Sequence, residues 1–264
     1  MSLPRMLPQD GVAWITGGSS GIGEAVALEL ARRGWTVAIT ARRLELLENV
    51  AQRAQGLPGR VVAHAGDVTD MGSMTAVIEG IESIHGPIAL AFLNAGIAPA
   101  SKGLLDMGAF EQTIAVNLVG VARGLSVVME RMSARGRGHI AVNASIAGFG
   151  GLPGGSAYGV SKAAVIHLCE ALKFECDRHG IRLQLVNPGW VDTPLSRSKS
   201  VAMPLIMPQE QAARRIVDGF ARAGFEITFP RRLSWLLKGV NLLPRPAYFW
   251  LLDQAGRRKG TTPP

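Results

Sequence analysis

Tyr158 and Lys162 stand four residues apart where the sequence becomes helical, in the run A-Y-G-V-S-K-A-A-V-I-H-L-C-E-A-L. This spacing puts both side chains on one face of a helix, one turn apart. A phenol ionises near pH ~10, and a nearby cation lowers its pKa by favouring the phenolate, so the pair could act as a general acid–base group. Ser145 follows the predicted strand His139–Ala144, and its hydroxyl could converge on the phenol. A partly buried tyrosine beside a solvated lysine would show the same spacing, so other motifs must decide.

A dinucleotide-binding βαβ unit is predicted at the N-terminus. Its elements are the strand Val12–Thr16, the turn T-G-G-S-S-G-I-G, the helix Glu24–Arg33 and the strand Thr36–Thr40. Gly17, Gly21 and Gly23 allow a tight turn and close approach of the backbone to a pyrophosphate, while the helix N-terminus holds the anion. A glycine cluster alone could be an ordinary loop, but its place between a strand and a helix favours nucleotide binding.

The end of the second strand indicates which nicotinamide cofactor binds. Arg42 and Arg43 stand there, and no carboxylate is present to select the ribose hydroxyls of NAD. An arginine can accept a 2′-phosphate, so the pattern favours NADP(H); two solvated arginines opening a helix are the alternative. Asp67 follows the predicted third strand, Val61–Ala65, where it could accept from an adenine amino group. It could instead cap the next helix, although Thr69 or Asp70 suits that role better.

Three further segments carry a functional hypothesis. Asn94-Ala95-Gly96 follows the fourth predicted strand, Ile88–Leu93, and its small residues allow close approach to a cofactor. Asn117 lies within a long helical pattern, Met107–Arg135, where asparagine is unfavourable, so it should have a hydrogen-bonding duty that is structural or catalytic. The stretch after Pro188-Gly189-Trp190-Val191-Asp192-Thr193 has no period and reads as a lid. The apolar half of that lid, Val201–Met207, suggests a lipophilic substrate.

Length and composition fit one compact α/β domain, because 47% of the 264 residues are hydrophobic and mean hydropathy is +0.20. No apolar run approaches the ~20 residues of a membrane span, and the first ten residues lack the apolar core of a secretory signal. Cys169 and Cys176 lie seven residues apart on one predicted helix, too far for an unstrained disulfide. We therefore expect reduced thiols in a cytoplasmic protein. No residues predict a metal site.

The net charge of +8 and the pI of about 10.2 indicate an anionic partner. No nucleic-acid motif accompanies the charge and aromatic residues make up only 6%, so we do not expect binding to DNA or RNA. Much of the excess lies in the last 34 residues, where two short helices are predicted at Leu233–Leu243 and Ala247–Ala255. Their aromatic residues among basic ones resemble an interfacial membrane anchor, with packing against the domain or a sister subunit as the alternative.

Six motifs follow one another along the chain. They are T-G-G-S-S-G-I-G at Thr16–Gly23, N-A-G at Asn94–Gly96, V-N-L-V-G around Asn117, Ser145, Y-G-V-S-K at Tyr158–Lys162 and P-G-W-V-D-T at Pro188–Thr193. In this order they resemble the short-chain dehydrogenase/reductase family from Gly11 to Phe229. The resemblance implies an α/β fold of Rossmann type, with a doubly wound, mostly parallel seven-stranded sheet in the order 3-2-1-4-5-6-7 and helices on both faces. One departure is Ala144, where a second serine often stands.

The resemblance also implies roles for the site residues. Tyr158 would exchange a proton with a carbonyl or alcohol oxygen, and Ser145 would hold that oxygen. Lys162 would bind the nicotinamide ribose and lower the tyrosine pKa, and Asn117 would hold a water in the proton relay. Helices matching Met107–Arg135 and Tyr158–Arg178 commonly pair subunits into homodimers or homotetramers. The expected cofactor contacts are Gly17, Ser19, Ser20, Gly21, Ile22, Gly23, Arg42, Arg43, Asp67, Val68, Asn94, Ala95, Gly96, Tyr158, Lys162, Pro188, Gly189, Val191 and Thr193.

These observations converge on one hypothesis. Residues 1–230 form a single NADP(H)-binding catalytic domain with a substrate lid near 194–208, and residues 231–264 form a basic, aromatic helical extension. The protein transfers a hydride between nicotinamide and a lipophilic ketone or aldehyde, or the corresponding alcohol, with Tyr158 as the acid–base group. Two alternatives stay open: a non-catalytic NADP(H) sensor, and a reductase of lipid carbonyls at a membrane surface.

Overall fold

The architecture comes from a computed structural model, which describes residue 3 and residues 5–100, 104–153, 155–197 and 206–257. Nine strands are described, in chain order β1 Val12–Thr16, β2 Thr36–Ala41, β3 Arg60–Ala65, β4 Ile88–Leu93, β5 Gly138–Asn143, β6 Ile181–Pro188, β7 Val191–Asp192, β8 Met207–Pro208 and β9 Glu226–Phe229. Seven of them form one sheet in the order β3-β2-β1-β4-β5-β6-β9, with every neighbouring pair parallel. This confirms the predicted Rossmann-type, single-domain fold. The strands β7 and β8 pair separately.

Helices cover both faces of the sheet. In chain order they are α1 Gly21–Arg32, α2 Leu44–Arg53, α3 Met71–His85, α4 Met107–Ile114, α5 Gly120–Ala134, α6 Ser156–Arg178, α7 Pro194–Arg197, α8 Gln209–Phe220, α9 Arg231–Asn241 and α10 Arg245–Arg257. One core cluster joins α1, α2 and α8 to the sheet, and a second joins α3, α5 and α6 to the opposite face. The doubly wound arrangement thus follows from strands that are apolar on both sides.

The central strand β1 shows how two cores share one sheet. Successive side chains alternate between faces, so Ile15 joins the α1 and α8 cluster while Trp14 joins the α3 and α5 cluster. The indole Nε1 of Trp14 is fully buried and donates to Thr40 Oγ1 at 3.0 Å, which satisfies its only donor. The two core layers therefore hold β1 and β2 in fixed register below the glycine turn.

The long helix predicted over Met107–Arg135 is interrupted in its middle. A π turn, Ala115–Val119, separates α4 from α5, and the buried Asn117 lies within it. Single π turns inside α-helices concentrate at functional sites. The span Met107–Ala134 is also long and apolar enough to cross a membrane by length and composition alone, with a mean hydropathy of 1.4. Here Val121, Leu125 and Val128 of that span pack in the core between α3, α6 and the sheet.

The predicted lid falls largely outside the described residues, since 198–205 are not described. Its first part is the short helix α7, and its end is β8, which pairs with β7. The apolar segment Val201–Met207 is therefore described only at Ile206 and Met207. The C-terminal extension forms two helices, α9 and α10. α9 has the predicted length but begins and ends two residues earlier, α10 extends two residues beyond the prediction at each end, and α9 packs on β9 of its own domain.

Candidate active site

The glycine turn after β1 forms a cradle of backbone groups. Gly17 and Gly21 have φ of 67° and 61°, the left-handed region that favours glycine. A Cβ on Gly23 would lie 2.3 Å from the carbonyl oxygen of Gly17, so the turn closes only with glycine there. Ser20 is the N-cap of α1 and makes no side-chain capping bond, and a helix start leaves its first N–H groups for an anion. Gly17, Ser19, Ser20, Gly21, Ile22 and Gly23 thus all lie in or beside one phosphate-sized cradle.

Two hydrogen-bonded asparagines tie this cradle to the neighbouring strands. Thr16 Oγ1 accepts from the backbone N–H of Asn94 at 3.0 Å and of Ala95 at 3.1 Å. The amide Nδ2 of Asn94 donates to the carbonyls of Thr16 and Gly17, and its Oδ1 accepts from Asn143 Nδ2 at 2.9 Å. Asn94 therefore joins the ends of β1, β4 and β5, where ligands bind in open parallel sheets.

Ser145 and Tyr158 are brought together at the end of β5. Their hydroxyls share a hydrogen bond, and Ser145 Oγ also accepts from Ala147 N–H at 3.1 Å. Ala147 belongs to a 3₁₀ turn, Ile146–Gly148, for which Ser145 is the N-cap. The backbone donor leaves the O–H of Ser145 as a donor, and Oγ lies 3.5 Å from the carbonyl oxygen of Pro188, a long distance for a hydrogen bond. The Ser145 hydroxyl is buried, whereas Tyr158 keeps a partly exposed surface.

Lys162 is a buried cation beside the phenol. Its side chain is 2% exposed, its Nζ lies 5.7 Å from the centroid of the Tyr158 ring, and it donates to the carbonyl oxygen of Asn143 at 2.7 Å. An ammonium has three donors, and in the described part of the chain this carbonyl is its only hydrogen-bond acceptor. A Cβ on Gly96 would lie 3.7 Å from Nζ, so the lysine faces the N-A-G segment. A buried ammonium with donors to spare suits the hydroxyls of a ribose.

Asn117 is held by hydrogen bonds to two other segments of the chain. Its Oδ1 accepts from Ile97 N–H at 2.8 Å, and its Nδ2 donates to Ile97 O at 2.9 Å and to Ser161 Oγ at 3.1 Å. These bonds join the π turn to the segment after β4 and to α6. They establish the structural duty expected of an asparagine in a helix interior; the proposed water contact remains a prediction.

Burial shifts the acid–base groups in opposite directions. It raises the pKa of Tyr158 above its ordinary value, while the hydrogen bond to Ser145 acts to lower it. It lowers the pKa of Lys162 to about 8, because burial disfavours the ammonium. Desolvation is the larger effect and the net shift is upward; the lowering of the tyrosine pKa by Lys162, whose Nζ lies 5.7 Å from the ring centroid, stays a prediction. At neutral pH the site therefore holds a protonated phenol beside a mostly protonated amine.

The charged residues predicted to bind the adenosine half of the cofactor follow the strands β2 and β3. Arg42 and Arg43 are exposed after β2, and Arg43 is the N-cap of α2. Asp67 has a lowered pKa: burial opposes the shift, but hydrogen bonds from Thr69 and the charges of Arg42 and Arg123 outweigh it. Both Thr69 bonds use Oδ1 of Asp67, which leaves its other oxygen as an acceptor. Asp70, not Asp67, caps α3.

The segment after β6 closes the opposite side of the cleft. Pro188 ends β6, Gly189 packs 2.8 Å from Pro230 at its would-be Cβ, and Val191 is buried in β7. Thr193 lies against the glycine cradle, since a Cβ on Gly21 would be 3.3 Å from its side chain. Val68 packs on the start of α5 at Gly120. The predicted contact residues thus follow the carboxyl ends of six neighbouring strands, β3, β2, β1, β4, β5 and β6, along one edge of the sheet.

Some site-shaping residues were not singled out from the sequence. Thr16, Asn143 and Ser161 hold, respectively, the N-A-G segment, Lys162 and Asn117. A polar residue ending a fully apolar strand is a usable signal for Thr16 and Asn143. For Ser161 and for backbone acceptors no such signal exists. Tyr248 of α10, which bonds the loop after Ser145, was noted only as an aromatic residue.

Comparison with known proteins agrees with this geometry. The family model described as "short chain dehydrogenase" matches residues 11–203. The chain belongs to the short-chain dehydrogenase/reductase family. It is 33% identical to an uncharacterized oxidoreductase of Myxococcus xanthus over 93% of this chain and 96% of the relative. It is 36% identical to a cyclohexanol dehydrogenase of an Acinetobacter species over 70% of this chain and 74% of the relative.

A solved structure gives the same result for the fold. An alcohol dehydrogenase of Thermococcus sibiricus, complexed with 5-hydroxy-NADP, superposes with a TM-score of 0.74 and 28% identity, covering 83% of this chain and 95% of that one. As a short-chain dehydrogenase/reductase, the protein is an oxidoreductase of CH–OH and C=O groups whose fold binds a nicotinamide cofactor. The glycine cradle and the unpaired donors of Lys162 fit such a dinucleotide.

Proposed function

We propose that this short-chain dehydrogenase/reductase is an NADP(H)-dependent reductase of lipophilic ketones or aldehydes, with Tyr158 as the proton donor. The observation that carries the proposal is the hydrogen bond between the Ser145 and Tyr158 hydroxyls beside the Lys162 ammonium. Two hydroxyls a hydrogen bond apart can both donate to one carbonyl oxygen, which stabilises the charge that develops there. The NADP(H)-holding sensor without turnover is the alternative, and it has no use for this arrangement.

The chain's own groups have distinct tasks in the reaction. A nicotinamide cofactor held by the glycine cradle and Lys162 would supply the hydride that the carbonyl carbon accepts. Tyr158 transfers its phenolic proton to the carbonyl oxygen, while Ser145 donates a second hydrogen bond to that oxygen. Lys162, with a pKa of about 8, is charged at neutral pH and stabilises the phenolate that Tyr158 becomes. The raised pKa of Tyr158 keeps the phenol protonated at neutral pH, so it can donate its proton in the reductive direction.

Replacement of Tyr158 by Phe tests the mechanism because it removes only the hydroxyl. We expect kcat for NADPH-dependent ketone reduction to fall by at least about a hundredfold, the usual contribution of a general acid. NADPH binding, followed by its fluorescence, should change little and shows that the cleft is intact. Turnover within a few-fold of wild type would refute the role of Tyr158. Wild-type protein that binds NADPH but reduces no member of a broad panel of ketones, aldehydes and quinones would favour the sensor.

The preference for NADP(H) is supported by charge at the end of β2. Arg42 is exposed there, its charge lowers the pKa of Asp67 after the neighbouring strand β3, and β2 ends at Ala41 without a carboxylate. A charge-assisted hydrogen bond to a 2′-phosphate predicts that Arg42→Ala weakens NADPH by about tenfold to a hundredfold and NADH by less than about twofold. Arg178→Ala, at the exposed end of α6, is the matched control. Equal losses for both cofactors would contradict the assignment.

We further propose a cytoplasmic homodimer or homotetramer that self-associates through α5 and α6. The two buried, unpaired cysteines support a reducing compartment. Three residues on or next to these helices have exposed apolar side chains, Val119, Val160 and Phe174, and Phe174 is 69% exposed. Exposed apolar surface of this kind supports a contact between subunits. Phe174→Glu should shift the sedimentation coefficient to that of a smaller species. An unchanged coefficient would exclude this surface as the interface.

Reduction of a lipid carbonyl at a membrane surface is a second candidate, favoured by the outer face of α9 and α10. Trp235, Leu236, Leu242, Phe249 and Trp250 on these helices are each more than 60% exposed. They stand among seven basic and one acidic residue in the last 34 positions. Anionic vesicles of phosphatidylglycerol should co-sediment wild type but not a Trp235→Ser/Trp250→Ser variant, with Ile84→Ser on α3 as control. Equal sedimentation of all three, or of none, would dismiss this candidate.

A further inference from the structure

The chain between Ser145 and Tyr158 contains a segment with little conformational restraint of its own. We call Phe149–Gly155, which reads F-G-G-L-P-G-G, the glycine loop; residue 154 is not described. Glycine has more backbone freedom to lose on folding than any other residue. This loop joins Ser145 to Tyr158, whose hydroxyls would hold a carbonyl oxygen. Disorder of the loop would therefore make the positions of both hydroxyls, and of the loop surface beside the substrate, less well defined.

Tyr248 of the C-terminal extension supplies an external restraint. It is 3% exposed on a helix whose next two residues, Phe249 and Trp250, are each 64% exposed. Its hydroxyl donates to the carbonyl oxygen of Gly151 at 2.8 Å. A Cβ on Gly150 would lie 2.7 Å from the same hydroxyl oxygen. The loop therefore runs directly against the phenol, and it does so without a side chain at the contact.

A second contact ties the same loop to the edge of the sheet. Lys238 of α9 places Nζ 4.9 Å from the centroid of the Phe149 ring, a cation–π distance. The same Nζ pairs with both carboxylate oxygens of Glu226 in β9, at 2.6 and 2.7 Å. The glycine loop is thus held from one side by α9 and α10 at three consecutive residues, 149 to 151.

These contacts are continuous with the catalytic serine. Phe149 N–H donates to Ile146 O at 3.2 Å, and Gly148 N–H donates to Ser145 O at 3.0 Å. The would-be Cβ of Gly148 lies 2.7 Å from Ile166 and 2.8 Å from the Lys162 backbone, so the turn is wedged against α6. A displacement of the glycine loop at Gly151 would therefore be transmitted through these hydrogen bonds to Ser145 Oγ and its bond to Tyr158.

We propose that Tyr248 is a positioning residue of the active site, and that α9 and α10 form the wall that selects among substrates by their bulk. This inference rests on the proposed carbonyl reduction. A carbonyl oxygen bound by both Ser145 and Tyr158 brings its substituents beside the loop that joins them. Fixing that loop through Gly151 orders the serine and limits the space for the larger substituent.

Tyr248→Phe tests the proposal because it removes one hydroxyl and keeps the ring. We expect amide hydrogen exchange in the peptide covering residues 146–157 to rise about fivefold to tenfold, in proportion to one lost hydrogen bond. The value of kcat/KM for a bulky ketone should fall by about tenfold, and that for cyclohexanone by less than about threefold, with NADPH binding unchanged. Trp250→Ser, an exposed neighbour on α10, is the matched control and should alter none of these.

A double-variant cycle with Gly150→Ala gives a sharper test. The new methyl would meet Tyr248 Oη at 2.7 Å but the ring carbon behind it only at 3.5 Å. Gly150→Ala should therefore impair the wild-type background by about tenfold in kcat/KM and the Tyr248→Phe background much less, since the colliding oxygen is gone. Asn241 Oδ1, 3.3 Å away, is present in both backgrounds and cancels in the comparison.

Two results would overturn the proposal. One is a Tyr248→Phe variant that matches Trp250→Ser in both exchange and kinetics. The other is a Gly150→Ala cost that is equal in the two backgrounds. Failure of carbonyl reduction by the wild-type protein would instead refute the proposed function, because the exchange measurement needs no turnover and still reports on the contact between Tyr248 and Gly151.

Discussion

Replacement of Lys162 by Met should stabilise the cofactor-free protein at neutral pH while abolishing catalysis. The amine is 2% exposed and its pKa falls from 10.5 to about 8 on burial. That difference corresponds to a penalty of about 3 kcal/mol for holding the ammonium in the folded state. The lost hydrogen bond to Asn143 O offsets this by about 1 kcal/mol. We therefore expect a net gain of about 2 kcal/mol in the free energy of unfolding at pH 7.

The difference in unfolding free energy between wild type and Lys162→Met should change sign with pH. A base whose pKa is depressed in the folded state carries its full penalty below the folded value, here about pH 8. Between about 8 and 10.5 the unfolded chain binds more protons, so the penalty shrinks and the wild-type protein gains stability relative to the variant. Above 10.5 only the lost hydrogen bond remains, and the variant should be the less stable of the two. The two stability curves should cross near pH ~10, where the remaining penalty equals the ~1 kcal/mol of the lost hydrogen bond.

Urea denaturation followed by circular dichroism at half-unit intervals of pH measures both curves. The difference between wild type and variant removes the contribution of Cys176, whose thiol has a pKa raised to about 11. The thiol of Cys169 has a pKa raised to about 12 and interacts with the Lys162 charge, so both proteins are compared in a Cys169→Ala background. Lys173→Met, on the exposed side of the same helix, should give a curve parallel to wild type. A Lys162→Met protein that is less stable than wild type at pH 7, or a difference that does not change with pH, would refute the reasoning.

Three further outcomes follow from the structure. Gly23→Ala should abolish nucleotide binding, measured by NADPH fluorescence, because its Cβ would lie 2.3 Å from Gly17 O; unchanged binding would contradict the closed turn. Gln184→Leu should destabilise the protein by about 2–4 kcal/mol in urea unfolding, since its buried amide bonds three carbonyls near the end of α8; a smaller loss would imply water in their place. Cys169 and Cys176, buried with raised pKa values, should resist thiol reagents until unfolding; rapid labelling would show an open α6.

The parallel sheet could be predicted from the sequence because its strands are buried on both faces. Continuous apolar runs mark such strands, and the predicted bounds of β1 and β4 coincide with the observed ones. Helix starts were less accurate. The first helix begins at Gly21 rather than Glu24, because a glycine-rich segment reads as a loop even where its residues form the first helical turn.

The arrangement of the candidate catalytic residues could be predicted because it depends on side chains at fixed spacing. Four residues along α6 bring Tyr158 and Lys162 to one face, and the end of β5 brings Ser145 to them. The acceptor for Lys162 is a backbone carbonyl, that of Asn143, and backbone groups carry no mark in a sequence. The direction of the tyrosine pKa shift was also out of reach, since it depends on how burial competes with a charge at a distance only coordinates provide.

The C-terminal extension shows why the remaining part of the site resists prediction. Its composition alone made Tyr248, Phe249 and Trp250 equivalent aromatic residues, yet only Tyr248 is buried and bonded to the glycine loop. Which of three successive helical residues faces the domain depends on where the helix starts and on which surface of the domain the helix packs against. Lys162 presents the complementary case: it is a cation buried at a cost to stability, and among the described residues one carbonyl accepts from it. Its cost is intelligible only as preparation for binding and catalysis, as the crossing stability curves would show.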